Sequence, residues 1–246
     1  MRITRIYFDG SLEVGEKITL DILASNHLLR VLRLSLGSKI NLFNNENFEY
    51  EATIVEANKK LAEVLVDKKY LVRTESPLNI TLAQAISRSE KMDYTIQKAT
   101  ELGVNSIVPI FSEYCEVALD GERLEKRIEH WQKIAISASE QSGRCKIPKI
   151  LPAQRLNLFI PQKSDLNLVL DPRALISLPK FINTYSISFN KITLLVGPEG
   201  GLSDQEIELA KNNGFHSVTL GPRILRTETA GLVAISVLQA MLGDLK

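Results

Sequence analysis

Apolar and polar residues alternate in two different rhythms along this chain. Residues 1–73 carry short β-like runs, Lys39–Phe43, Glu49–Val55 and Leu61–Val66, parted by Asn, Gly, Glu and Lys turns. One helical pattern interrupts them, Asn26–Leu34, with Asn26 as its expected N-cap. Short strands with one helix predict a small barrel. After Thr74-Glu75-Ser76-Pro77 the rhythm changes. Ile80–Ile86 is a continuous apolar run, as in a strand covered on both faces. Ser89–Leu102 follows as a helix with Met92, Ile96 and Ala99 on one face and Gly103 as its stop. Ile107–Phe111 is the next strand, and Asp120–Gln141 a long helix with Leu124, Ile128, Trp131, Ala135 and Ala138 inward. Strands at Asn167–Leu170, Thr193–Val196 and Val218–Leu220 complete the pattern. Ser203-Asp204-Gln205-Glu206 has the form of a capping box, and its helix stops at Gly214. Strands alternating with helices predict an α/β fold with a parallel sheet. The boundary gives two domains, 1–73 and 74–246.

The apolar run Ala230–Leu242 is broken by Ser236 and Gln239 and is too short to span a bilayer, so it reads as a core helix. Leu232, Ile235 and Leu238 on it exceed what one sheet face needs and suggest a shared interface. The N-terminus has no apolar signal core. Cys115 and Cys145 lack partner histidines at zinc spacing and read as free thiols of a cytoplasmic protein, with no metal. Net charge is +1, with 11 basic and 10 acidic residues in 1–73 and 19 of each thereafter. Bulk charge therefore neither demands nor excludes RNA, and any RNA site must be a local arginine cluster. No two of the 13 glycines stand two apart, which argues against a Rossmann dinucleotide fingerprint. A P-loop, a His-Glu-x-x-His zinc motif and a Gly-x-Ser-x-Gly elbow are also missing. His27, His130 and His216 do not suggest a triad, and His27 and His216 read as structural or solvent-facing. An enzyme with this inventory works by binding, orientation and electrostatics.

Chemistry concentrates in two loops, Val196-Gly197-Pro198-Glu199-Gly200-Gly201 and Leu220-Gly221-Pro222-Arg223-Ile224-Leu225-Arg226-Thr227-Glu228-Thr229-Ala230. Each lies between a predicted strand and a predicted helix, where open α/β sheets bind ligands. Their glycines and prolines let backbone approach a ligand on a fixed path, so the two suggest one composite pocket.

These two loops resemble the signatures of the RsmE family, bacterial 16S ribosomal RNA uridine-N3 methyltransferases of the SPOUT superfamily. Lys91-Met92-Asp93, Gln97–Val104, Glu140-Gln141-Ser142-Gly143-Arg144 and His27–Arg33 look like further family motifs, so the resemblance covers both domains. Tyr114 departs from it, because the family often carries arginine there, and no RNA contact is assigned to that position. The resemblance implies a C-terminal SPOUT sheet with a trefoil knot, a PUA-like N-terminal barrel, S-adenosylmethionine as cofactor, ribosomal RNA or the small subunit as partner, and a homodimer. The knot is implied by the resemblance alone, since true knots are nearly absent from proteins.

On the same resemblance the cofactor falls to Leu170, Asp171, Val196, Gly197, Pro198, Glu199, Gly200, Gly201, Leu220, Gly221, Arg223, Ile224 and Leu225. Leu220, Ile224 and Leu225 suit an adenine slot, and Glu199 suits a cationic sulfonium. Asp171-Pro172-Arg173 closes the pocket or is an ordinary proline turn. Arg226 and Glu228, otherwise an ion pair at a helix start, become the catalytic pair once uridine is the substrate. Uridine N3 carries a proton at neutral pH. A guanidinium can stabilise the charge left on O2 or O4, and a carboxylate can take the proton. The helix dipole that favours an anionic Glu228 also weakens it as a base, so Arg226 ranks first. Arg30, Arg33, Arg88, Lys91, Gln141, Arg144 and Arg173 are the RNA candidates. Arg30 and Arg33 read equally as a charged helix face, and Gln141 and Arg144 as helix-end contacts. Two other readings remain open: methylation at a ribose 2′-oxygen or guanine N1, and a non-catalytic RNA-binding assembly factor.

Overall fold

The computed structural model describes residues 3–58, 61–117, 119–159, 164–185 and 189–245. It divides into two compact units, Met1–Glu75 with Ser139–Ile147, and Ser76–Ala138 with Pro148–Lys246.

In the first unit β1 (Thr4–Tyr7), β2 (Lys17–Thr19), β3 (Lys39–Phe43), β4 (Phe48–Ala57) and β5 (Ala62–Leu71) form a sheet of order β1-β3-β4-β5-β2. β1 runs parallel to β3, and the other pairs are antiparallel. Both edge strands give residues to the same core, Ile6 from one and Ile18 from the other, packed with Leu42, Tyr50, Ile54 and Val64. The sheet must therefore curl, and register shifts between β4 and β5 at Glu51/Ala52 and Ile54/Glu56 help it do so. Helix α1 (Ile22–Asn26) starts earlier than periodicity implied. Its cap is Asp21, whose carboxylate accepts from the Ala24 N–H at 2.7 Å, and Asn26 is the last helical residue and caps nothing. The start was hidden because Ile22 and Leu23 are exposed and add no inward face. A π-helical turn, His27–Val31, follows, and Arg33 then takes a left-handed φ of 55°.

The stretch Ser139–Ile147, grouped with the second domain by sequence, belongs to the first unit. Buried polar groups hold it there. Arg5 pairs with Glu49 at 2.6 Å and donates to the carbonyls of Ser139 and Arg144 at 2.7 and 2.9 Å. Glu75 pairs with Arg144 at 2.8 Å and accepts from the backbone N–H of Cys145 and Lys146.

In the second unit β6 (Asn79–Ala85), β7 (Ser106–Phe111), β8 (Lys149–Ile150), β9 (Gln154–Arg155), β10 (Leu166–Leu170), β11 (Lys191–Val196) and β12 (Phe215–Val218) are all parallel. Their order is β12-β10-β11-β6-β7-β8, with β9 also on β7. From Ile80 to Ile86 every residue is buried, as a doubly covered strand requires. The helices are α2 (Ser89–Glu101), α3 (Gly121–Ser142), α4 (Leu178–Asn183), α5 (Asp204–Asn212) and α6 (Thr227–Leu242). Gly103 ends α2 at a φ of +86°, and the capping box before α5 is formed. On α3 Trp131, Ala135 and Ala138 are buried as expected, while Leu124 and Ile128 are half-buried. The last strand lies earlier than its apolar run implied, at Phe215–Val218 instead of Val218–Leu220. It is an edge strand, so its exposed His216 hid the period. Although β12 is outermost, α6 packs on α2 and β11. Residues 219–226 therefore carry the chain from the sheet edge back past the loops after β10 and β11, the passage a knotted fold demands.

Candidate active site

Three loops at the C-terminal ends of β10, β11 and β12 converge with the start of α6 on a cavity of about 710 Å³. That is where a parallel sheet offers a ligand site. Leu170, Asp171, Val196, Gly197, Pro198, Glu199, Gly200, Gly201, Ile224, Leu225 and Arg226 all line it, from segments far apart in sequence. Leu220 and Arg223 line a small annex beside Leu170, Asp171 and Leu225. Gly221 lines neither space; it turns the chain with a φ of +113°, and its carbonyl accepts from the Thr219 hydroxyl. Gly197 cannot be replaced freely, because a Cβ there would sit 3.0 Å from the Leu202 Cγ and 3.2 Å from the Gly201 carbonyl carbon.

Two of the cations at the cavity, Lys91 and Arg173, are paired. Lys91 reaches from α2 to Glu199 at 3.0 Å. Burial pushes the Glu199 carboxyl up, but its own backbone N–H, Lys91 and the Arg88 N–H outweigh burial and hold it below the usual value. Glu199 is thus an anion at neutral pH, already shared with an ammonium. Arg173 reads likewise: it donates to Asp171 from its backbone N–H at 3.0 Å and from Nε at 3.1 Å, and also pairs with Asp204. Lys91 and Arg173, taken from sequence as RNA contacts, are cavity-lining groups with carboxylate partners. Thr227 and Ala230 also line the cavity, although no local sequence signal marks them. The Thr227 hydroxyl donates to the Gly197 carbonyl at 2.6 Å. Arg226 is exposed at the N-cap of α6. Glu228, in the first helical turn, is half-buried, and its Oε2 is buried without a hydrogen-bond partner.

The cavity fits S-adenosylmethionine. Its size is that of a cofactor site, its walls include Leu170, Val196, Ile224 and Leu225, and glycine backbone supplies donors and acceptors.

The remaining RNA candidates fall elsewhere. Arg30 and Arg33 are exposed around the π-helical turn, and Gln141 is exposed on the last turn of α3. Arg88 is exposed and pairs with Glu116 at 2.7 Å. Arg144 is not an RNA contact, contrary to the sequence expectation: the residue is 4% exposed and its guanidinium is paired with Glu75, so it holds the first unit together and offers RNA no surface. Asp93, within the Lys91-Met92-Asp93 motif, accepts from the Trp131 indole and contacts His130, while Met92 is core. His27 and His216 are exposed. Among the described residues no cluster suited to a metal is found, and no helix is long and apolar enough to cross a membrane.

A second, shallower groove of about 390 Å³ lies along α6 and is lined by Tyr94, Leu232, Val233, Ser236 and Val237 among others. Of the three apolar residues expected at an interface, only Leu232 lines this groove; Ile235 and Leu238 are wholly buried in the unit's own core.

The profile of an RNA methyltransferase domain matches residues 74–239, and that of an RNA methyltransferase PUA domain matches residues 24–67. The chain is 39% identical to the ribosomal RNA small subunit methyltransferase E of Buchnera aphidicola from Schizaphis graminum, over 99% of this chain and 98% of that one. The Bacillus subtilis protein of the same name is 30% identical over 87% and 86%. Among solved structures, a Legionella pneumophila protein in complex with SAM superposes with a TM-score of 0.95 at 41% identity, covering both chains fully. The Neisseria gonorrhoeae ribosomal RNA small subunit methyltransferase E bound to S-adenosylmethionine gives 0.91 at 38%, again over both full chains.

Proposed function

The chain belongs to the ribosomal RNA small subunit methyltransferase E family, and on that premise we propose that it methylates N3 of a uridine in 16S ribosomal RNA using S-adenosylmethionine. The observation that carries this reading is the single cavity that gathers both glycine loops and Arg226. S-adenosylmethionine supplies an electrophilic methyl group when bound. Leu170, Val196, Ile224 and Leu225 would give its adenine an apolar slot, and the backbone of Gly197–Gly201 and Arg223–Leu225 would read its edges. Arg226 directs its guanidinium at a uracil carbonyl oxygen and stabilises the charge left by loss of the N3 proton. Glu228 takes that proton. Its unpartnered Oε2 leaves an acceptor uncommitted, which supports this role, although Glu228 is not itself among the residues that line the cavity.

Arg30, Arg33 and Gln141 are the proposed backbone contacts to RNA, with Arg88 at the start of α2. The α6 groove is the proposed face for a second copy of the chain, which would act as a homodimer in the cytoplasm. The test has two arms. Calorimetric titration of the purified protein with S-adenosylmethionine should show binding. Mass mapping of 16S nucleosides from cells lacking the protein should show one uridine stripped of its N3 methyl. A missing ribose or guanine methyl instead would refute the uridine assignment.

A further inference from the structure

Gln84 is wholly buried in β6, in the middle of a strand whose neighbours Leu82, Ala83, Ala85 and Ile86 are buried and apolar. A carboxamide in such a place destabilises the fold unless it is hydrogen-bonded. Its Nε2 donates to the Ala85 carbonyl at 3.1 Å and to the Thr227 hydroxyl at 3.0 Å. The Thr227 hydroxyl then donates to the Gly197 carbonyl at 2.6 Å. The two ends of this chain fix its direction. Carbonyl oxygens only accept, so the atom facing Ala85 must be the amide nitrogen, and the single Thr227 proton must go to Gly197. The helix crowds the same amide one turn later, where a Cβ on Gly231 would lie 3.3 Å from the Gln84 Oε1.

We infer that Gln84 is a positioning residue, which fixes the cofactor cavity through Thr227. Gly197 and Thr227 both line that cavity, and Thr227 directly follows Arg226 at the start of α6. Among the described residues, the Thr227–Gly197 bond is the one hydrogen bond that ties the β11 loop to the α6 start. Gln84 orients its donor. The relay therefore sets the spacing of the two walls and the backbone that carries Arg226. It accounts for the amide nitrogen, both of whose bonds are donated within the relay, while the buried Oε1 has no partner. The inference rests on the S-adenosylmethionine reading above.

The experiment is calorimetric titration of the full chain with S-adenosylmethionine, with a melting curve for each variant. Gln84→Glu reverses the relay when ionised, because a carboxylate accepts the Thr227 proton and leaves the Gly197 carbonyl without a donor. When protonated it can donate again. Its affinity should therefore be about tenfold weaker at alkaline pH and recover as the carboxyl protonates, while the wild type shows no such transition. Thr227→Val should weaken binding by about the same factor, and Thr227→Ser, which keeps the hydroxyl, should restore it. A folded Gln84→Glu whose affinity ignores pH, or a Thr227→Val that binds like the wild type, would overturn the inference. Should Gln84→Glu fail to fold, the Thr227 pair decides. A wild type that fails to bind overturns the cofactor reading itself, and the relay with it.

Discussion

Arg226 lines the cavity yet has no ion-pair partner among the described residues, unlike Lys91 and Arg173 beside it. An uncommitted guanidinium is what a reaction that generates charge needs. Arg226→Lys keeps the charge and loses the planar fork that addresses a carbonyl in a fixed direction. Turnover should fall about 10²-fold or more, with S-adenosylmethionine affinity nearly unchanged, and should partly recover at higher pH as uracil ionises unaided. Single-turnover kinetics beside calorimetry checks this, and lost cofactor binding would put the residue in the wrong role. Arg33 carries a different signature, a left-handed φ of 55° that glycine would tolerate better. Strain held at an exposed residue points to use rather than stability. Arg33→Gly should raise stability, by up to about 1 kcal/mol in a denaturant melt, and weaken RNA binding in a salt titration. At this scale the glycine loops were legible because glycine and proline state a backbone requirement locally. Thr227 and Gln84 were not, because their meaning lies in partners 30 and 143 positions apart in the chain. Arg144 misled for the same reason: its partner Glu75 is invisible at the end of a helix pattern.

Elements whose apolar rows face one core were readable. β6, α2 and the α5 capping box lie within a residue or so of their expected limits, because burial or a local cap enforces them. β5 runs on to Leu71, past the apolar run, because β4 pairs with its polar end from Phe48 to Glu51. Pairing of that kind leaves no period in the sequence. Helix α4 is short and starts beside a proline, so it leaves no helical period in the sequence. Helix α6 is apolar nearly all round, so sequence could not tell its inner row from its outer one. The structure separates them: Ala234, Ile235 and Leu238 point inward, and Leu232, Val233 and Val237 line the groove. Val237→Glu therefore places a charge on the outer row and leaves the core intact. Light scattering should show the wild type as a dimer at micromolar concentration and Val237→Glu shifted to monomer, with the melting temperature of the isolated chain little changed. A wild type that stays monomeric would refute the interface.

At the scale of the whole molecule, the chain does not split cleanly at one point. The first unit takes back Ser139–Ile147 from within the sequence of the second. The sequence boundary near residue 74 marks a real change of rhythm, but rhythm cannot show that Arg5 and Glu75 satisfy the backbone of a distant segment. This sharpens what truncation should do. A fragment from residue 76 onward keeps every cavity-lining group, since these run from Lys91 to Ala230. It also keeps the sheet and the relay through Gln84, so it should fold and bind S-adenosylmethionine. It loses Arg5, Glu49 and Glu75, and with them the Glu75–Arg144 ion pair and the Arg5 bonds to the carbonyls of Ser139 and Arg144. Losing buried bonds of this kind costs about 1–3 kcal/mol each. Residues 139–147 should then open, and hydrogen exchange there should become fast while the cavity loops keep their protection. Methylation of the natural RNA should drop sharply, because Arg30, Arg33 and the fixed course of Gln141 are gone together. Full activity of the fragment would remove the first unit from RNA positioning. Slow exchange across 139–147 would show that the second unit alone organises that segment.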